Sequence, residues 1–452
     1  MDLLHRCCAG LDVHKDSVVA CVRRLDDRDR LHREVRTFPT VTAGLLDLLA
    51  WLQGHGVTHA AMESTGVYWK PIWNILEGHL HLLVVNAEHI KQVPGRKTDV
   101  ADSEWIAQLL QHGLLRASFV PPAPIRELRD LTRQRAQLVA EKAAAANRIQ
   151  KVLEDANLKL GSVASDVLGV SGRAMLADLI AGVTDPERLA EHAKGRMRSK
   201  RDSLRRALNG RVTEHHRFLL RLHLDHVTQL EDLVARLEQR VGALIDRDRP
   251  PDPPPDPSSP TVAESPPSAV TGGAGVSPPS APVAPRAPLG LWEAVLLVMT
   301  IPGISRRTAE VVVSEIGTDM SRFATSGHLA SWAGLCPGND ESAGKRRRGR
   351  TRHGNRWLRG SLVQAAWAAS RTTTYLAAQY RRLAKRRGKK KALVAVAHSQ
   401  LGIIYQVLTQ RQAYRDLGVG YFDQRMPERL TQQLVKRLES LGHKVTLNAQ
   451  AA

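Results

Sequence analysis

A proline-rich segment marks a clear boundary within this chain. Residues 249–288 hold 14 of the 24 prolines, mixed with serine, glycine and alanine. Such a composition buries too little apolar surface to offset the entropy lost on ordering, so we expect a semi-extended linker there. At roughly 100–200 residues per domain, the 452 residues suffice for two or three domains. We predict an α/β domain over 1–118, a helical arm over 119–248 and a basic domain over 289–452.

The net charge of the chain is strongly positive and unevenly distributed. The sequence has 65 Lys and Arg against 45 Asp and Glu, and residues 289–452 hold 27 of the basic residues but only 10 of the acidic ones. A basic surface of this strength attracts polyanions, either nucleic acid or an anionic membrane face. No apolar run approaches the ~18–20 residues that cross a bilayer, and the N-terminus has no signal-peptide core. We therefore expect a cytoplasmic protein with no membrane partner.

The four cysteines predict neither a redox centre nor a zinc site. Cys7, Cys8, Cys21 and Cys336 form no CxxC pair and show no zinc-ligand spacing. The first three lie in one apolar hairpin, where a free cysteine behaves as a small apolar residue. We expect them to be core residues of a protein in a reducing compartment.

β-rich runs and helical patterns alternate in the first 118 residues in the order βββαβαβα. That order is the one of the RNase H and RuvC-like nuclease fold, although other α/β domains share parts of it. The predicted elements are the strands Arg6–Val13, Ser17–Arg24, Leu31–Phe38, Val57–Met62 and His81–Asn86, and the helices Ala43–Gln53, Tyr68–Glu77 and Asp99–His112.

Four carboxylates of this domain are candidate metal ligands. Asp12 lies in an otherwise apolar strand, and Glu63 follows the fourth strand. Asp99 and Asp102 are three residues apart at the start of the last helix, so they share one face. In an RNase H topology the first and fourth strands are neighbours and the last helix packs beside them, so the four acids should converge. Close anions repel one another unless cations neutralise them, so the cluster predicts two Mg²⁺ ions that act on a phosphodiester.

Taken singly, each of these acids is better explained by a salt bridge or by a helix cap. Asp99 in particular has the position and residue type of an N-cap. The metal hypothesis therefore depends on all four acids lying together in the predicted topology.

Residues 125–247 are almost free of strand signals and predict two long helices. The first covers Ile125–Leu158, and in the second the apolar residues recur in alternating steps of three and four. This heptad seam favours a coiled-coil dimerisation arm, with an ordinary helical hairpin within one chain as the alternative. The seam consists of Val227, Leu230, Val234, Leu237, Val241 and Leu244.

The basic domain contains a second candidate site, around Ser342. Eight Lys and Arg and no acid lie between 345 and 359, and eight more lie in Arg381–Lys391. Interspersed glycines keep the backbone open, so we expect a loop along a phosphate chain, where the serine hydroxyl attacks a phosphate whose charge the guanidiniums offset. A solvated patch or a localisation signal is the alternative. The candidate nucleic-acid-binding residues are Lys345, Arg346, Arg347, Arg348, Arg350, Arg352, Asn355, Arg356 and Arg359.

Upstream of this region, Leu291–Met320 contains a Pro-Gly turn between two short helical patterns. The pattern is similar to a helix-hairpin-helix, whose turn amides hold a nucleic-acid phosphate. A plain helical hairpin explains the same spacing equally well.

Motifs in both halves of the chain occur in a specific combination. The N-terminal part contains GLDVHK, MESTGVYW and VNAEHIKQVPGRKTDVADSEWIAQLLQHGLL. The C-terminal part contains TIPGI, WAGLCPGNDESAGKRRRGRTRHGNRWLR and, near its end, YFDQR and LVKRLESLGHKV. Together they resemble the DEDD transposases of the "IS one-ten" insertion-sequence family, over nearly the whole chain except the proline-rich segment.

The resemblance implies a RuvC-like domain, a coiled coil and a mainly helical transposase domain, working as a dimer or tetramer. It also implies recombination between the ends of a mobile element and a target DNA, guided by a structured bridge RNA from the element. By motif, Ser342 corresponds to the family's nucleophilic serine, which forms a covalent phosphoserine link to cleaved DNA. The acidic quartet that holds Mg²⁺ in this family corresponds to Asp12, Glu63, Asp99 and Asp102.

Three functional hypotheses follow from the sequence. The first is an RNA-guided DNA recombinase of the bacterial cytoplasm, associated with the nucleoid, which uses Mg²⁺ and Ser342. The second is a metal-dependent Holliday-junction-type nuclease in which water attacks and the serine only binds phosphate. The third is a non-catalytic RNA- and DNA-binding remnant of a transposase, against which the presence of all five candidate catalytic residues argues.

Overall fold

The structure is a computed structural model that divides into two compact units, Met1–Pro121 and Pro122–Ala452. The predicted linker 249–288 lies outside the described residues except for Arg249. The separation of an arm from a basic domain stays a prediction. The described residues are 3–64, 66–86, 102–249, 289–337, 341–342, 345–346, 351, 353–425 and 427–447.

The first unit is built on a mixed five-stranded sheet with the strand order β3-β2-β1-β4-β5. The first three strands form an antiparallel meander, and β4 and β5 add to β1 in parallel. The predicted neighbourhood of the first and fourth strands is therefore confirmed. The elements are β1 (Cys7–Val13), β2 (Ser17–Leu25), β3 (Leu31–Pro39), α1 (Thr42–Gly54), β4 (His59–Glu63), α2 (Trp69–Leu76), β5 (His81–Val85) and α3 (Asp102–Gln111).

Helices cover both faces of this sheet, because alternate residues of β1 and β4 point to opposite sides. Leu11 and Met62 belong to a core with the leucines of α1 and with Ile72 of α2. Cys8 and Ala61 belong to a second core on the other face, with Ile106, Leu109 and Leu110 of α3. This alternation decides to which face the acidic residues near the strand ends point.

Two of the three cysteines of the hairpin are buried as expected, and Cys7 is half-buried against the core. Cys8 and Cys21 are fully buried, and burial raises the pKa of Cys8 to about 12 and that of Cys21 to about 11. Thiols with such pKa values stay protonated at neutral pH and are poor nucleophiles and metal ligands. Both residues therefore act as small apolar side chains of the core.

The second unit begins with two long helices that pack along each other, α4 (Ala123–Asp155) and α9 (Glu214–Asp246). Short helices between them close one shared core that contains Ile149, Met175 and Leu220. The short helices are α5 (Leu160–Val163), α6 (Val170–Ala181), α7 (Pro186–Glu191) and α8 (Arg201–Ala207), with a 3-10 turn at Gly195–Lys200.

The heptad seam of α9 packs within the chain at several of its positions. Val227 and Leu230 are buried in the core that α9 shares with α4, and Val234 and Leu237 pack against that core while half-buried. The two helices thus form an intramolecular helical hairpin. Pairing of this seam with a second copy of the chain stays a prediction.

In the rest of the second unit, the described helices and strands are all helices apart from one short antiparallel pair of strands. A 3-10 turn at Met320–Arg322 follows its second helix. The elements are α10 (Leu291–Met299), α11 (Arg306–Ile316), α12 (Ser326–Trp332), β6 (Glu341–Ser342), β7 (Lys345–Arg346), α13 (Arg356–Ala369), α14 (Tyr375–Arg387), α15 (Lys389–Gln410), α16 (Tyr421–Arg425) and α17 (Pro427–Ser440).

Helix α15 is long enough and on average apolar enough to cross a bilayer, although it contains no unbroken apolar run of that length. By length and composition alone it qualifies, and it is the one such helix in the described part of the chain. Polar residues interrupt its apolar stretches, which is why a search for an unbroken run misses it. Of its most apolar window, 44% is buried, and the fully buried Gln400 donates a hydrogen bond to the Pro302 carbonyl. It is packed as a core helix between α10, α12, α13 and α14.

Candidate active site

Asp12 lies at the C-terminal end of β1, one residue before the strand ends. Its side chain is 24% exposed, and its Oδ2 atom is 3.1 Å from Nε2 of the exposed His14. This histidine was not among the predicted site residues, although an Asp-x-His spacing at a strand end is a readable signal. The carboxylate is therefore accessible from solvent and already has one polar neighbour.

Glu63 is brought beside Asp12 by the parallel pairing of β1 with β4. Leu11 is paired with Met62, so Asp12 and Glu63 each lie one step further along neighbouring strands. Since Leu11 and Met62 point into the core under α1 and α2, the two acids point to the opposite face, which α3 covers. Glu63 is the last residue of β4 rather than the first one after it, which is a small correction.

Helix α3 brings Asp102 to the same edge of the sheet. A Cβ atom added at Gly10 would lie 2.1 Å from the Ser103 carbonyl oxygen, so this glycine lets the helix backbone contact β1 directly. The Cys8 thiol donates to the Ala107 carbonyl (3.5 Å), so the helix runs antiparallel to the strand. Its first residue, Asp102, thus lies toward the strand end that carries Asp12.

The fourth acid of the predicted quartet, Asp99, lies outside the described residues. Within the described ranges, no group of three or more His, Cys, Asp and Glu side chains is close enough to hold a metal ion. Glu63 and Asp102 each take part in a polar or electrostatic interaction. The structure therefore brings three of the four acids to one edge of the sheet, and their joint coordination of Mg²⁺ stays a prediction.

Glu104, a further acid of α3, is held in ion pairs across the sheet. Its Oε1 atom accepts from Nη1 of Arg33 at 2.6 Å and lies 3.6 Å from Nη1 of Arg23. The hydrogen bond from Arg33 to this carboxylate raises the pKa of the arginine. Arg23 also donates to the amide oxygen of Gln111 at 3.0 Å, so it ties both ends of α3 to β2. Glu104 therefore fastens α3 to β2 and β3.

A group of histidines lies at the opposite edge, where the strands begin. The rings of His5 and His59 stack at 4.0 Å between centroids, and those of His59 and His81 at 4.7 Å. Burial lowers the pKa of His5, and proximity to His81 adds to this. Burial, followed by proximity to His5 and His81, also lowers the pKa of His59. These rings are remote from the acids, because His59 and His81 open the strands that Glu63 and Val85 close.

Ser342 lies in a short antiparallel ribbon, where the sequence predicted an open loop. It is paired with Lys345, and its neighbour Glu341 is paired with Arg346. An isolated bridge between Pro337 and Thr351 joins the chain on either side of this ribbon. Cross-strand pairing places the candidate nucleophile directly opposite a lysine of the basic segment, a relation that residue spacing alone does not reveal. The candidate residues Arg347, Arg348, Arg350 and Arg352 lie outside the described residues.

Asn355 forms the N-cap of α13. Its Oδ1 atom accepts from the amides of Trp357 (3.1 Å) and Leu358 (3.0 Å), and its Nδ2 atom donates to Oε2 of Glu315 at 2.5 Å. Both polar atoms of the amide thus have intramolecular partners, and its predicted contact with nucleic acid stays a prediction. Asn is among the preferred N-cap residues, so this role was readable from the sequence. Of the other candidates in this helix, Arg356 is exposed and Arg359 is half-buried.

Glu315 connects Asn355, at the start of α13, to the long helix α4. Its carboxylate is fully buried and accepts from Nε (2.7 Å) and Nη2 (2.8 Å) of Arg133, in addition to Asn355. Arg129 donates to the Glu315 carbonyl at 2.7 Å. Burial lowers the pKa of Arg129 to about 10, so it remains a cation at neutral pH. No sequence pattern predicts these buried charges, because acids and arginines are normally solvent-exposed.

The Pro-Gly turn between α10 and α11 packs against α13. Gly303 has a φ of +85°, and a Cβ atom there would lie 2.3 Å from the Ala365 carbonyl oxygen and 2.6 Å from the Ala369 amide nitrogen. The glycine is thus required for both the turn and the close helix contact. These contacts describe a packed helical hairpin, and phosphate binding by its amides stays a prediction.

Comparison with known proteins gives two family matches. Residues 9–157 match a family described as "Transposase", the DEDD transposases of the IS110 type, and residues 295–381 match the "Transposase IS116/IS110/IS902 family". The first match contains most of β1, all of α4 and every element between them. The second contains α11, α12 and α13 together with the Ser342 ribbon.

Two curated proteins are similar to part of the chain. The transposase for insertion sequence element IS1111A of Coxiella burnetii is 33% identical over 123 residues, which is 26% of this chain and 34% of that protein. The insertion element IS110 uncharacterized 43.6 kDa protein of Streptomyces coelicolor is 30% identical over 121 residues, 26% of this chain and 29% of that protein. The matches thus span about a third of the length of these relatives. With both family matches in the same order as the two halves of the fold, the chain belongs to the IS110 family of transposases.

Proposed function

We propose that this protein is the transposase of an insertion sequence, and that it cuts and rejoins DNA through a covalent serine–phosphate intermediate. The observation that carries the proposal is the placement of Asp12, Glu63 and Asp102 at one edge of the sheet. The family matches support it from both halves, since one includes the acids and the other includes Ser342.

We assign the acidic residues to the binding of two Mg²⁺ ions. Carboxylate oxygens are the ligands that Mg²⁺ prefers, and the 24% exposure of Asp12 leaves its edge of the sheet open to a cation and a DNA strand. When bound, such ions supply charge that polarises the scissile phosphate and stabilises the departing oxygen. The ligands in this proposal are Asp12, Glu63, Asp99 and Asp102.

In the proposed cleavage step, the Ser342 hydroxyl oxygen forms a bond to phosphorus and the bond from phosphorus to a deoxyribose oxygen breaks. The hydroxyl proton passes to solvent or to a nearby base, and the released deoxyribose oxygen takes up a proton to become a free hydroxyl. Rejoining is the reverse reaction with the hydroxyl of a different strand. One phosphodiester replaces another in each step, so no external energy source is required.

We propose DNA as the substrate, together with a guide RNA from the element, because the C-terminal part of the chain is strongly cationic. Residues 289–452 hold 27 basic and 10 acidic residues, and the paired strands β6 and β7 place Lys345 opposite the serine. Lys and Arg side chains bind phosphate groups and distinguish little between the bases. Base pairing with an RNA would therefore specify the target sequence. Assembly as a homodimer or tetramer in the bacterial cytoplasm, at the nucleoid, completes the proposal.

The decisive experiment looks for a covalent protein–DNA adduct. Purified protein is incubated with Mg²⁺, the noncoding RNA of its own element and end-labelled junction DNA, and the products are resolved on denaturing gels. Wild-type protein should give a labelled adduct of protein mass, and both Ser342→Ala and Asp102→Asn should abolish it. Cleavage that survives Ser342→Ala without any adduct would establish the water-using nuclease instead.

Two matched variants test whether the losses are specific. Glu104→Gln removes a carboxylate from the same helix as Asp102, but Glu104 is engaged by Arg33, so adduct formation should persist in the folded variant. Ser331→Ala removes an exposed serine from the same unit as Ser342 and should leave the adduct unchanged. If the wild type and all variants bind both DNA and RNA and none of them cleaves DNA, the protein is a non-catalytic remnant of a transposase.

A further inference from the structure

Helix α13 exposes an aromatic face that the proposed chemistry does not use. Trp367 is 44% exposed and Trp357 is half-buried. They are ten residues apart, which corresponds to about 15 Å along the helix axis and about 80° around it, so both lie on the half of the helix that points away from the core. The opposite side, with Leu358 and Leu362 among its buried residues, packs into the core. Exposed tryptophans on a well-packed helix indicate an interaction surface.

An arginine lies over each of these rings. The guanidinium carbon of Arg356 is 4.5 Å from the centroid of a Trp357 ring, and that of Arg371 is 5.1 Å from the centroid of a Trp367 ring. Between the two tryptophans along the helix, Gly360 faces open space, since a Cβ atom there would have no neighbour within 4 Å. The face thus presents two flat rings with a cation at each and a glycine between them.

The surrounding charge identifies the chemistry of the occupant. The 74 residues from Ser342 to Arg415 contain 19 Lys and Arg and no Asp or Glu. An anionic partner therefore meets no carboxylate from this stretch. Stacking on indole rings combined with phosphate contacts from guanidinium groups is the way in which proteins bind unpaired nucleotides.

We propose that this face of α13 binds a single strand of DNA, with one base stacked on Trp367 and a second on Trp357. The helix starts at Arg356, directly after the basic segment that carries Ser342, so the strand would be the one freed next to the cut. This inference rests on the proposed function for the identity of the strand. The site itself is distinct from Ser342 and from the acidic residues.

The test measures binding without cleavage. Fluorescence anisotropy with a labelled 15-nucleotide single-stranded DNA, in EDTA and in a Ser342→Ala background, separates this inference from the cutting chemistry. Trp367→Ala should weaken single-strand binding by about 5- to 150-fold, as expected for the loss of one stacked base, and Trp367→Phe should retain most of the affinity. Affinity for a blunt duplex of the same length should change little.

Salt dependence separates stacking from charge. Trp367→Ala should leave the slope of log affinity against log salt unchanged, whereas Arg371→Ala should make it shallower by about 1. Because Trp367 is exposed, thermal unfolding of the variant should match that of the wild type. Crosslinking of a 5-iodouracil oligonucleotide should map to Trp367 or Trp357 by mass spectrometry.

Four results would overturn the inference. They are unchanged single-strand affinity in Trp367→Ala, an equal loss for duplex DNA, a loss confined to RNA oligonucleotides, and a change in oligomeric state that marks the face as a protein contact. Failure of the proposed function is a separate result, in which the single strand binds as described and no adduct forms.

Discussion

At the scale of single residues, Gly10 is the position on which the approach of α3 to the sheet depends. A methyl group there would lie 2.1 Å from the Ser103 carbonyl oxygen and 2.4 Å from the Ala107 amide nitrogen, both of them backbone atoms that cannot turn away. Gly10→Ala should therefore push α3 outward and lower the free energy of unfolding by about 1–3 kcal/mol. Hydrogen exchange in the intact protein should show reduced protection of β1 and α3.

The same substitution should also reduce DNA cleavage, because Asp102 would move away from Asp12. Gly54→Ala is the matched control in the same unit, since a Cβ atom at Gly54 meets nothing within 4 Å. That variant should keep full activity and gain up to about 1 kcal/mol, as expected for Gly replaced by Ala in a helix. Equal protection of β1 and α3 in both variants would contradict the role assigned to Gly10.

At the scale of elements, the start of α13 depends on the amide of Asn355. Asn355→Ala removes the N-cap and also a hydrogen bond to the fully buried carboxylate of Glu315. The loss of a cap and of a partner of a buried charge should together lower the free energy of unfolding by about 2–4 kcal/mol. Urea denaturation followed by circular dichroism measures the effect.

Asn355→Ser separates the two contributions, because serine retains a cap acceptor but is too short to replace the bond to Glu315. Its effect should be roughly half of that of Asn355→Ala. Identical stabilities for the two variants would show that the cap contributes nothing. Arg133 of α4 binds the same carboxylate. Glu315 therefore links the long helix α4 to Asn355 at the start of α13.

At the scale of the whole molecule, positive charge is concentrated in one part of the chain. Residues 1–118 hold 13 basic and 14 acidic residues, whereas residues 289–452 hold 27 and 10. If the C-terminal part neutralises about 10 phosphates, log affinity for duplex DNA should fall against log salt with a slope near −9. A filter-binding titration between roughly 50 and 300 mM salt measures this slope. A slope near zero would remove the electrostatic argument for nucleic-acid binding.

Most of the first unit was predictable from the sequence, because its signals are local. β-rich and apolar runs predicted all five strands, and the predicted start of the second strand at Ser17 and of the third at Leu31 agree with the structure. The same local reasoning placed Asp12 and Glu63 near the ends of their strands. Ser342 was predicted in an open loop and lies in a two-stranded ribbon, because cross-strand pairing joins residues whose spacing carries no strand pattern.

The sequence by itself thus determined the order of elements, the distribution of charge and the identity of the candidate catalytic residues. These are properties of short stretches of chain, and they follow from side-chain periodicity and residue type. Only the tertiary structure decided which residues serve to fasten the elements. The burial of Glu315 under Arg133, the pairing of Glu104 with Arg33 and the contact of Gly10 with Ser103 each join distant positions. Such contacts depend on packing between elements, and no local pattern encodes them.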